Sequence, residues 1–148
     1  MIIEPALSFE RGRRMPKYIY PAIFTPEENG QYSVRFPDLK NCFSGGDSLP
    51  EAMDMARDAL CLMLYDMEEK GVELPAPSSM SAAERETEGE EFASLIVCDT
   101  IEYRKRFDNK AVKKTLTIPS WLNDMAERAD INFSAALQNA LKEALHIG

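Results

Sequence analysis

A short segment near the C-terminus carries side chains that could read nucleic acid. Residues 112–118, VKKTLTI, alternate in character except at Lys114, so Lys113, Thr115 and Thr117 share one face of a predicted strand and Lys114 interrupts the apolar face. Threonine hydroxyls can hydrogen-bond to base edges, and a lysine ammonium is attracted to guanine acceptors and to phosphates. The spacing therefore predicts a DNA-reading face, and the apolar residues opposite predict a buried contact.

Three residues further along the chain could hold a phosphate. Asn132, Phe133 and Ser134 precede an apolar pattern typical of a helix, for which we expect Ser134 to be the N-cap. The free backbone N–H groups at the start of a helix favour anions. These residues are therefore predicted to bind the DNA backbone while the threonine face contacts the bases.

The sequence offers no clear catalytic group. Two-metal nucleases need carboxylates that converge on a pair of Mg²⁺ ions, and the first predicted strand, residues 17–24, has none. His146 has no partner at catalytic spacing, and no serine or cysteine has the context of a nucleophile. The available aspartates fall on turns, a helix and a later strand: Asp38, Asp47, Asp54 and Asp99. We predict no enzymatic activity, no catalytic residue, no metal site and no cofactor.

The DNA-reading residues would be positioned by a strand and two helices over residues 111–148. Pro119 ends the strand, Ser120 is predicted to cap the first helix, and Ser134 begins the second. So small a unit cannot hold a core, and a lone strand leaves its backbone groups unpaired. Pairing with a second copy across a two-fold axis would form a two-stranded ribbon over four helices, and such a ribbon fits the major groove.

The preceding body, residues 15–103, is predicted to be β-β-β-α-β, which makes the chain an α+β protein. Asn29-Gly30 indicates a hairpin. A long helix should begin at Ser48, with Glu51 completing a capping box. It should end at Gly71, with one stripe packed on the sheet: Leu49, Met53, Ala56, Leu60, Met63 and Met67.

Two segments of the body are predicted to lack regular structure. Residues 74–91 combine prolines, serines and carboxylates with little to bury, so we expect a mobile acidic loop there. A last strand over residues 92–103 should be followed by a basic linker, residues 104–110. We expect the outer face of the long helix to bind a partner, because apolar side chains there are ringed by carboxylates: Asp54, Asp58, Leu62 and Tyr65.

Charge is distributed unevenly along the chain. The net charge is −6 over residues 15–80, −6 over residues 81–102 and +3 over residues 103–148. An acidic body and a basic end suggest two partners of opposite charge. Three widely spaced cysteines and the lack of a signal peptide or a membrane-length apolar run indicate a cytoplasmic protein.

Two stretches resemble known families. Residues 113–145, KKTLTIPSWLNDMAERADINFSAALQNALKEAL, resemble ribbon-helix-helix repressors, and the stretch that begins PAIFTPEENGQYSVRFPDLKNCFSGGDSLPEAMDMARDAL resembles HicB antitoxins. The order of hairpin, Pro-Asp turn, Gly-Asp turn and alanine-rich helix carries the second resemblance. Residues 1–14 lie outside it and are expected to be a flexible extension.

The resemblance implies a type II toxin-antitoxin pair. Its partner would be HicA, a small basic ribonuclease that cleaves mRNA with a catalytic histidine. The body, described in this family as a degenerate ribonuclease-H-like fold, would cover the toxin's active site. The C-terminal module would repress the shared operon as a dimer or as part of a tetramer, with the ribbon positions falling on Lys113, Thr115 and Thr117. The alternative is an RNA-binding protein or a magnesium-dependent RNA-processing enzyme.

Overall fold

The computed structural model describes residues 17–147, which fall into two compact units. The body comprises Pro16–Asp108, and the C-terminal unit includes Asn109–Gly148. The predicted N-terminal extension, residues 1–14, lies outside the described residues.

The body is built on a four-stranded antiparallel sheet. Its strands occur in the order β3-β2-β1-β4, so β3 and β4 are the two edges. Their bounds are β1 Tyr18–Pro26, β2 Tyr32–Arg35, β3 Phe43–Gly46 and β4 Phe92–Cys98. The sheet and its helices confirm the α+β class, but the observed order differs from the predicted β-β-β-α-β, because one short helix precedes β4 and another follows it.

The predicted hairpin and the two predicted ends of the long helix are confirmed. Asn29 and Gly30 have φ angles of 62° and 78°, in the left-handed region that this turn requires. Helix α1, Leu49–Lys70, begins at Ser48, whose Oγ accepts from the Glu51 N–H at 3.3 Å. Gly71 ends α1 with φ 68°, where an L side chain would be strained.

The core lies between α1 and one face of the sheet. The stripe predicted for α1 is partly wrong, because Leu49 is exposed while Ala52 and Leu64 are fully buried. The buried face follows an i+4 repeat, 52–56–60–64, and the predicted methionines flank it. The three cysteines are buried and free, and burial raises the pKa of the Cys42 thiol to about 11.

The prediction that residues 74–91 lack regular structure is partly wrong. Helix α2, Met80–Arg85, lies within it and is capped by Ser79, whose Oγ accepts from the Ala82 N–H at 3.0 Å. Ala83 is fully buried, because α2 packs on the sheet face opposite α1. The segment is also attached by hydrogen bonds, since the Tyr20 hydroxyl donates to the Pro75 carbonyl and the Ser78 N–H donates to Asp38.

The prediction for residues 92–110 also needs correction. Strand β4 ends at Cys98 instead of residue 103, and Asp99 caps a new helix, α3 Thr100–Phe107. Its carboxylate accepts from the N–H groups of Ile101 and Glu102. Most of the supposed linker is therefore helical and belongs to the body.

The C-terminal unit contains the two expected helices, α4 Ser120–Arg128 and α5 Phe133–Ala144. Their caps differ from the predictions: α4 begins after Pro119 without a side-chain cap, and Asn132 takes the place of Ser134 in capping α5. Residues 109–119 form no strand within the single chain. A strand is assigned only where its backbone groups are paired with another strand. This segment can therefore form the predicted strand only if a second copy pairs with it.

Candidate functional site

The C-terminal unit has no core of its own. None of its described residues, 109–147, is buried. Several large apolar side chains are at least 40% exposed: Val112, Leu116, Ile118, Trp121, Leu122, Met125, Ile131, Phe133 and Leu141. Isolated exposed apolar residues are ordinary, but so many within one small unit indicate a surface that a partner covers.

The predicted DNA-reading residues lie in the same exposed segment. Lys113, Thr115 and Thr117 are all exposed and alternate with Val112 and Leu116 in sequence. Any pairing that buries the apolar positions of a strand leaves the alternate positions on the opposite face. The segment therefore suits a strand that is covered on one side only.

The predicted phosphate-binding residues form the start of α5. The Asn132 Oδ1 accepts from the Ala135 N–H at 3.0 Å, and the Ser134 Oγ accepts from the Gln138 Nε2 at 3.2 Å. As in any α-helix, the first N–H groups have no acceptor within the helix, and those of Phe133 and Ser134 lie in this turn. The local geometry is compatible with an anion.

Three of the four predicted partner-binding residues on α1 lie on an exposed face. Leu62 is 56% exposed, and Asp58 is exposed beside it on the helix. Asp54 forms a weak exposed pair with Arg57 at 3.5 Å. Exposed Met55 extends the same face, so an apolar centre with carboxylates around it is present as expected.

Tyr65, the fourth, is engaged within the chain. Its hydroxyl donates to the Asp108 Oδ2 at 3.2 Å, and the Arg104 guanidinium lies 4.6 Å from its ring centroid. The Tyr103 ring is 5.4 Å away, centroid to centroid. Tyr65 thus helps to attach α3 to α1, which reduces its availability to a partner.

Glu68 forms a polar centre that the sequence did not reveal. Its carboxylate accepts from the Tyr18 hydroxyl at 2.8 Å, from the Thr100 hydroxyl at 3.1 Å and from the Arg104 Nη2 at 2.9 Å. Arg104 also pairs with Glu69. Burial, and then the bond to Glu68, raises the pKa of Tyr18. The run Arg104–Arg106 had suggested only a basic linker, because its pairing depends on residues far away in sequence.

A second cluster of hydrogen-bonded polar side chains lies on the face of the sheet opposite the Glu68 cluster. An open cavity of about 670 Å³ is lined by Thr25, Pro26, Glu27, Arg35, Glu88, Glu90 and Glu91. The Glu91 carboxylate accepts from the Arg35 Nη1 at 3.0 Å and from the Thr25 hydroxyl at 2.7 Å. These bonds, with Arg35 first, lower the pKa of Glu91 to about 2. Carboxylates outnumber the one guanidinium, so this surface is acidic.

The aspartates considered for metal catalysis do not converge. Within residues 17–147, no group of three or more His, Cys, Asp or Glu residues could hold a metal ion. Asp38 accepts from the Ser78 N–H at 2.8 Å, and Asp99 caps α3. No helix in that part of the chain is both long and apolar enough to cross a bilayer.

Comparison with known proteins now identifies the family. A family model of HicB-like antitoxins of bacterial toxin-antitoxin systems matches residues 20–141. The chain belongs to this family. The match runs from β1 into α5, so it includes both the HicB-like body and most of the C-terminal unit.

Relatives with similar sequences agree with this assignment. The chain is 32% identical over 104 residues to a 14.9 kDa protein encoded in the rep-hol intergenic region of Haemophilus phage HP1, covering 70% of this chain and 75% of that protein. It is 34% identical over 82 residues to antitoxin HicB 2 of Photorhabdus laumondii, covering 55% and 58%. With antitoxin HicB of Escherichia coli K12 it shares 38% over 64 residues, covering 43% and 46%. The chain thus spans about half the length of these two antitoxins.

Solved structures support the fold. A chain from a toxin-antitoxin complex of Streptococcus pneumoniae is 26% identical with a TM-score of 0.55, and the match covers 86% of this chain and 99% of that one. The antitoxin HicB of Burkholderia pseudomallei is 19% identical with a TM-score of 0.50, covering 86% and 96%. At that identity the second comparison supports the fold alone.

Proposed function

We propose that this HicB-family antitoxin binds and neutralises a HicA-type, mRNA-cleaving toxin in the cytoplasm. In this proposal it also represses its own operon by binding operator DNA as a dimer, and it has no enzymatic activity of its own. The DNA-binding part of the proposal rests on one observation. No described residue of the C-terminal unit is buried in the single chain. A second copy would supply the missing core and the missing strand partner together.

The toxin-binding half rests on the charge of the body. Residues 17–108 carry nineteen acidic and nine basic side chains, a net charge of −10. Such a surface attracts a small basic ribonuclease over distances set by the Debye length. The exposed face of α1, with Leu62 among carboxylates, offers an apolar centre for the contact.

The C-terminal unit carries less positive charge than residues 103–148 taken together. Because Arg104–Arg106 belong to α3 of the body, residues 109–147 contain five basic and four acidic side chains, a net charge of only +1. Three of those five are Lys110, Lys113 and Lys114. The proposed attraction to phosphate therefore depends on this local cluster.

The DNA-binding proposal is tested by the double variant Lys113→Ala/Thr115→Ala. We expect operator affinity in a gel shift to fall at least about tenfold, because base-reading contacts contribute roughly 1–3 kcal/mol each. Neutralisation of the toxin should persist. The matched control is Lys142→Ala on α5, which removes one charge outside the predicted reading face. Unchanged operator binding by the double variant would refute the reading face.

The toxin-binding proposal is tested by Asp58→Lys/Leu62→Lys. This pair reverses a charge and removes the apolar centre on an exposed face, so we expect toxin affinity, measured by calorimetry, to fall at least about tenfold. Operator binding should be unchanged. Glu73→Lys, at an exposed position after α1, is the control. Full neutralisation by the double variant would place the toxin on another surface.

A further inference from the structure

Two of the three free cysteines lie next to each other in the core of the body. Cys61 lies on the buried face of α1, and Cys98 is the last residue of β4. Both belong to the same cluster of buried side chains, and each thiol is within hydrogen-bonding reach of the other. They are far apart in sequence, so it is the packing of α1 on the sheet that brings them together. Cys42 has a different partner, the Ala59 carbonyl, to which its thiol donates at 3.8 Å.

The surroundings of the pair make Cys61 the more acidic thiol. Bonds from the Cys98 thiol and from the Asp99 N–H lower the pKa of Cys61, although burial opposes this. That N–H lies at the N-terminus of α3, where backbone groups favour a negative charge. The pKa of Cys98 is raised, first by its bond to Cys61 and then by burial, and the nearby carboxylates of Glu68 and Asp99 raise it further. The thiolate is the nucleophilic form of cysteine, so Cys61 is the thiol that would react first.

Access from solvent also favours Cys61. It is 6% exposed, whereas Cys98 is 0% exposed. Oxidation of a cysteine depends on its thiolate character and on its exposure. Hydrogen peroxide is little larger than water, so an opening of this size suits it better than a bulky oxidant such as a disulfide-linked peptide.

We propose that hydrogen peroxide converts Cys61 and Cys98 into a reversible disulfide within one chain. The Cys61 thiolate attacks one peroxide oxygen and the O–O bond breaks, which forms a sulfenic acid on Cys61 and releases hydroxide. The Cys98 sulfur then attacks the Cys61 sulfur, so that an S–S bond forms, the S–O bond breaks, and the hydroxyl group leaves with the Cys98 proton as water. In total, two thiols give two electrons and two protons to the peroxide, which becomes two water molecules. External thiols reverse the bond by exchange.

The disulfide would join the middle of α1 to the end of β4. Disulfides of proteins in reducing compartments are usually transient and redox-sensing, which suits a bond that peroxide forms and thiols remove. Asp58 and Leu62, on the exposed face of α1, lie on either side of Cys61 in sequence. Oxidation would therefore act on the helix that is proposed to bind the toxin. That link rests on the proposed function, whereas the disulfide itself does not.

The test treats the reduced full-length chain with hydrogen peroxide, stops the reaction with catalase and alkylates the remaining thiols in urea. Trypsin then separates the three cysteines, because it cleaves after Arg57, between Cys42 and Cys61, and after Arg85, between Cys61 and Cys98. Mass spectrometry should find two peptides joined through Cys61 and Cys98, with Cys42 alkylated. Dithiothreitol added before alkylation should return all three thiols. Thiols are counted by peptide because peroxide also oxidises methionine.

Cysteine variants test the order of attack. Cys98→Ala removes the second thiol, so we expect the Cys61 sulfenic acid to persist and to react with dimedone. Cys61→Ala should show at least about tenfold less dimedone labelling, because the remaining Cys98 is fully buried. Cys42→Ala is the matched control and should form the Cys61–Cys98 disulfide at the wild-type rate. Far-UV circular dichroism checks that each variant is folded.

The outcomes distinguish a reactive pair from two ordinary core thiols. The same peroxide treatment in denaturing urea should no longer spare Cys42, because the folded surroundings of the pair are lost. Three alkylated thiols in the folded chain, with oxidation only in urea, would overturn the proposal. A disulfide through Cys42, or one between two chains, would do so as well. Dimedone labelling of Cys98 in Cys61→Ala, without labelling of Cys61 in Cys98→Ala, would overturn the proposed attack by Cys61.

Discussion

At the scale of residues, two buried or half-buried carboxylates fix the ends of the body's elements. Glu68 connects α1 to the first residue of β1 and to α3, and Glu91 connects the segment before β4 to Arg35 on β2. Each accepts at least two hydrogen bonds from partners far away in sequence. Charge-assisted bonds of this kind are stronger than neutral ones and position the chain as well as stabilise it.

The bonds to Glu91 predict a pH dependence of stability. Its pKa falls from an ordinary value of 4.5 to about 2 on folding. The stabilisation is therefore complete above about pH 4.5 and is lost as the pH falls toward 2, because the unfolded chain takes up the proton first. We expect Glu91→Gln to lower the free energy of unfolding at pH 7 and to flatten its decline between pH 4.5 and 2, as measured by urea denaturation. Glu90→Gln, at an exposed neighbour, is the control. An identical pH profile for Glu91→Gln and wild type would contradict the assignment.

At the scale of elements, local signals predicted what local interactions determine. The Asn29-Gly30 turn, the Ser48 cap and the Gly71 end of α1 each follow from residues within one turn, and the structure has all three. Helices α2 and α3 have local caps, Ser79 and Asp99, but the contacts that hold them on the body are distant in sequence. Ala83 packs on the sheet, and Arg104 pairs with Glu68. Tyr65 was assigned to a partner for the same reason. The spacing of residues along one helix does not reveal that another helix of the same chain covers one end of that face.

The pairing of α3 with α1 predicts the effect of removing Arg104. Arg104→Ala leaves Glu68, whose side chain is 11% exposed, with one fewer partner and removes the stacking on Tyr65. We expect the free energy of unfolding to fall by about 1–3 kcal/mol, the usual cost of an unsatisfied buried group. Lys105→Ala removes an exposed i,i+3 pair with Glu102 and should cost only a few tenths of a kcal/mol. Equal stability of the two variants would show that α3 is not held by Arg104.

At the scale of the whole molecule, the two units differ in what completes them. The body has a continuous core between its sheet and α1, so a single chain can bury its apolar residues. In the C-terminal unit no described residue is buried. The sequence of this unit alone predicted both helices and the need for a partner. A single chain cannot show the predicted two-stranded ribbon, because a strand exists only where another strand pairs with it. The stability of this unit should therefore depend on association.

That dependence can be measured with an intrinsic probe, because the chain's single tryptophan, Trp121, lies at the start of α4. Denaturant unfolding followed by Trp121 fluorescence should have a midpoint that rises with protein concentration. For a dimer that unfolds to monomers, each tenfold increase in concentration adds about 1.4 kcal/mol of apparent stability. Leu141→Glu should remove this dependence by placing a charge on an exposed apolar position of α5, whereas Asn139→Glu, at an exposed polar position, should preserve it. A midpoint that stays constant over a hundredfold range of concentration would mean that the C-terminal unit is stable without a second copy, and the proposed ribbon would then lose its physical basis.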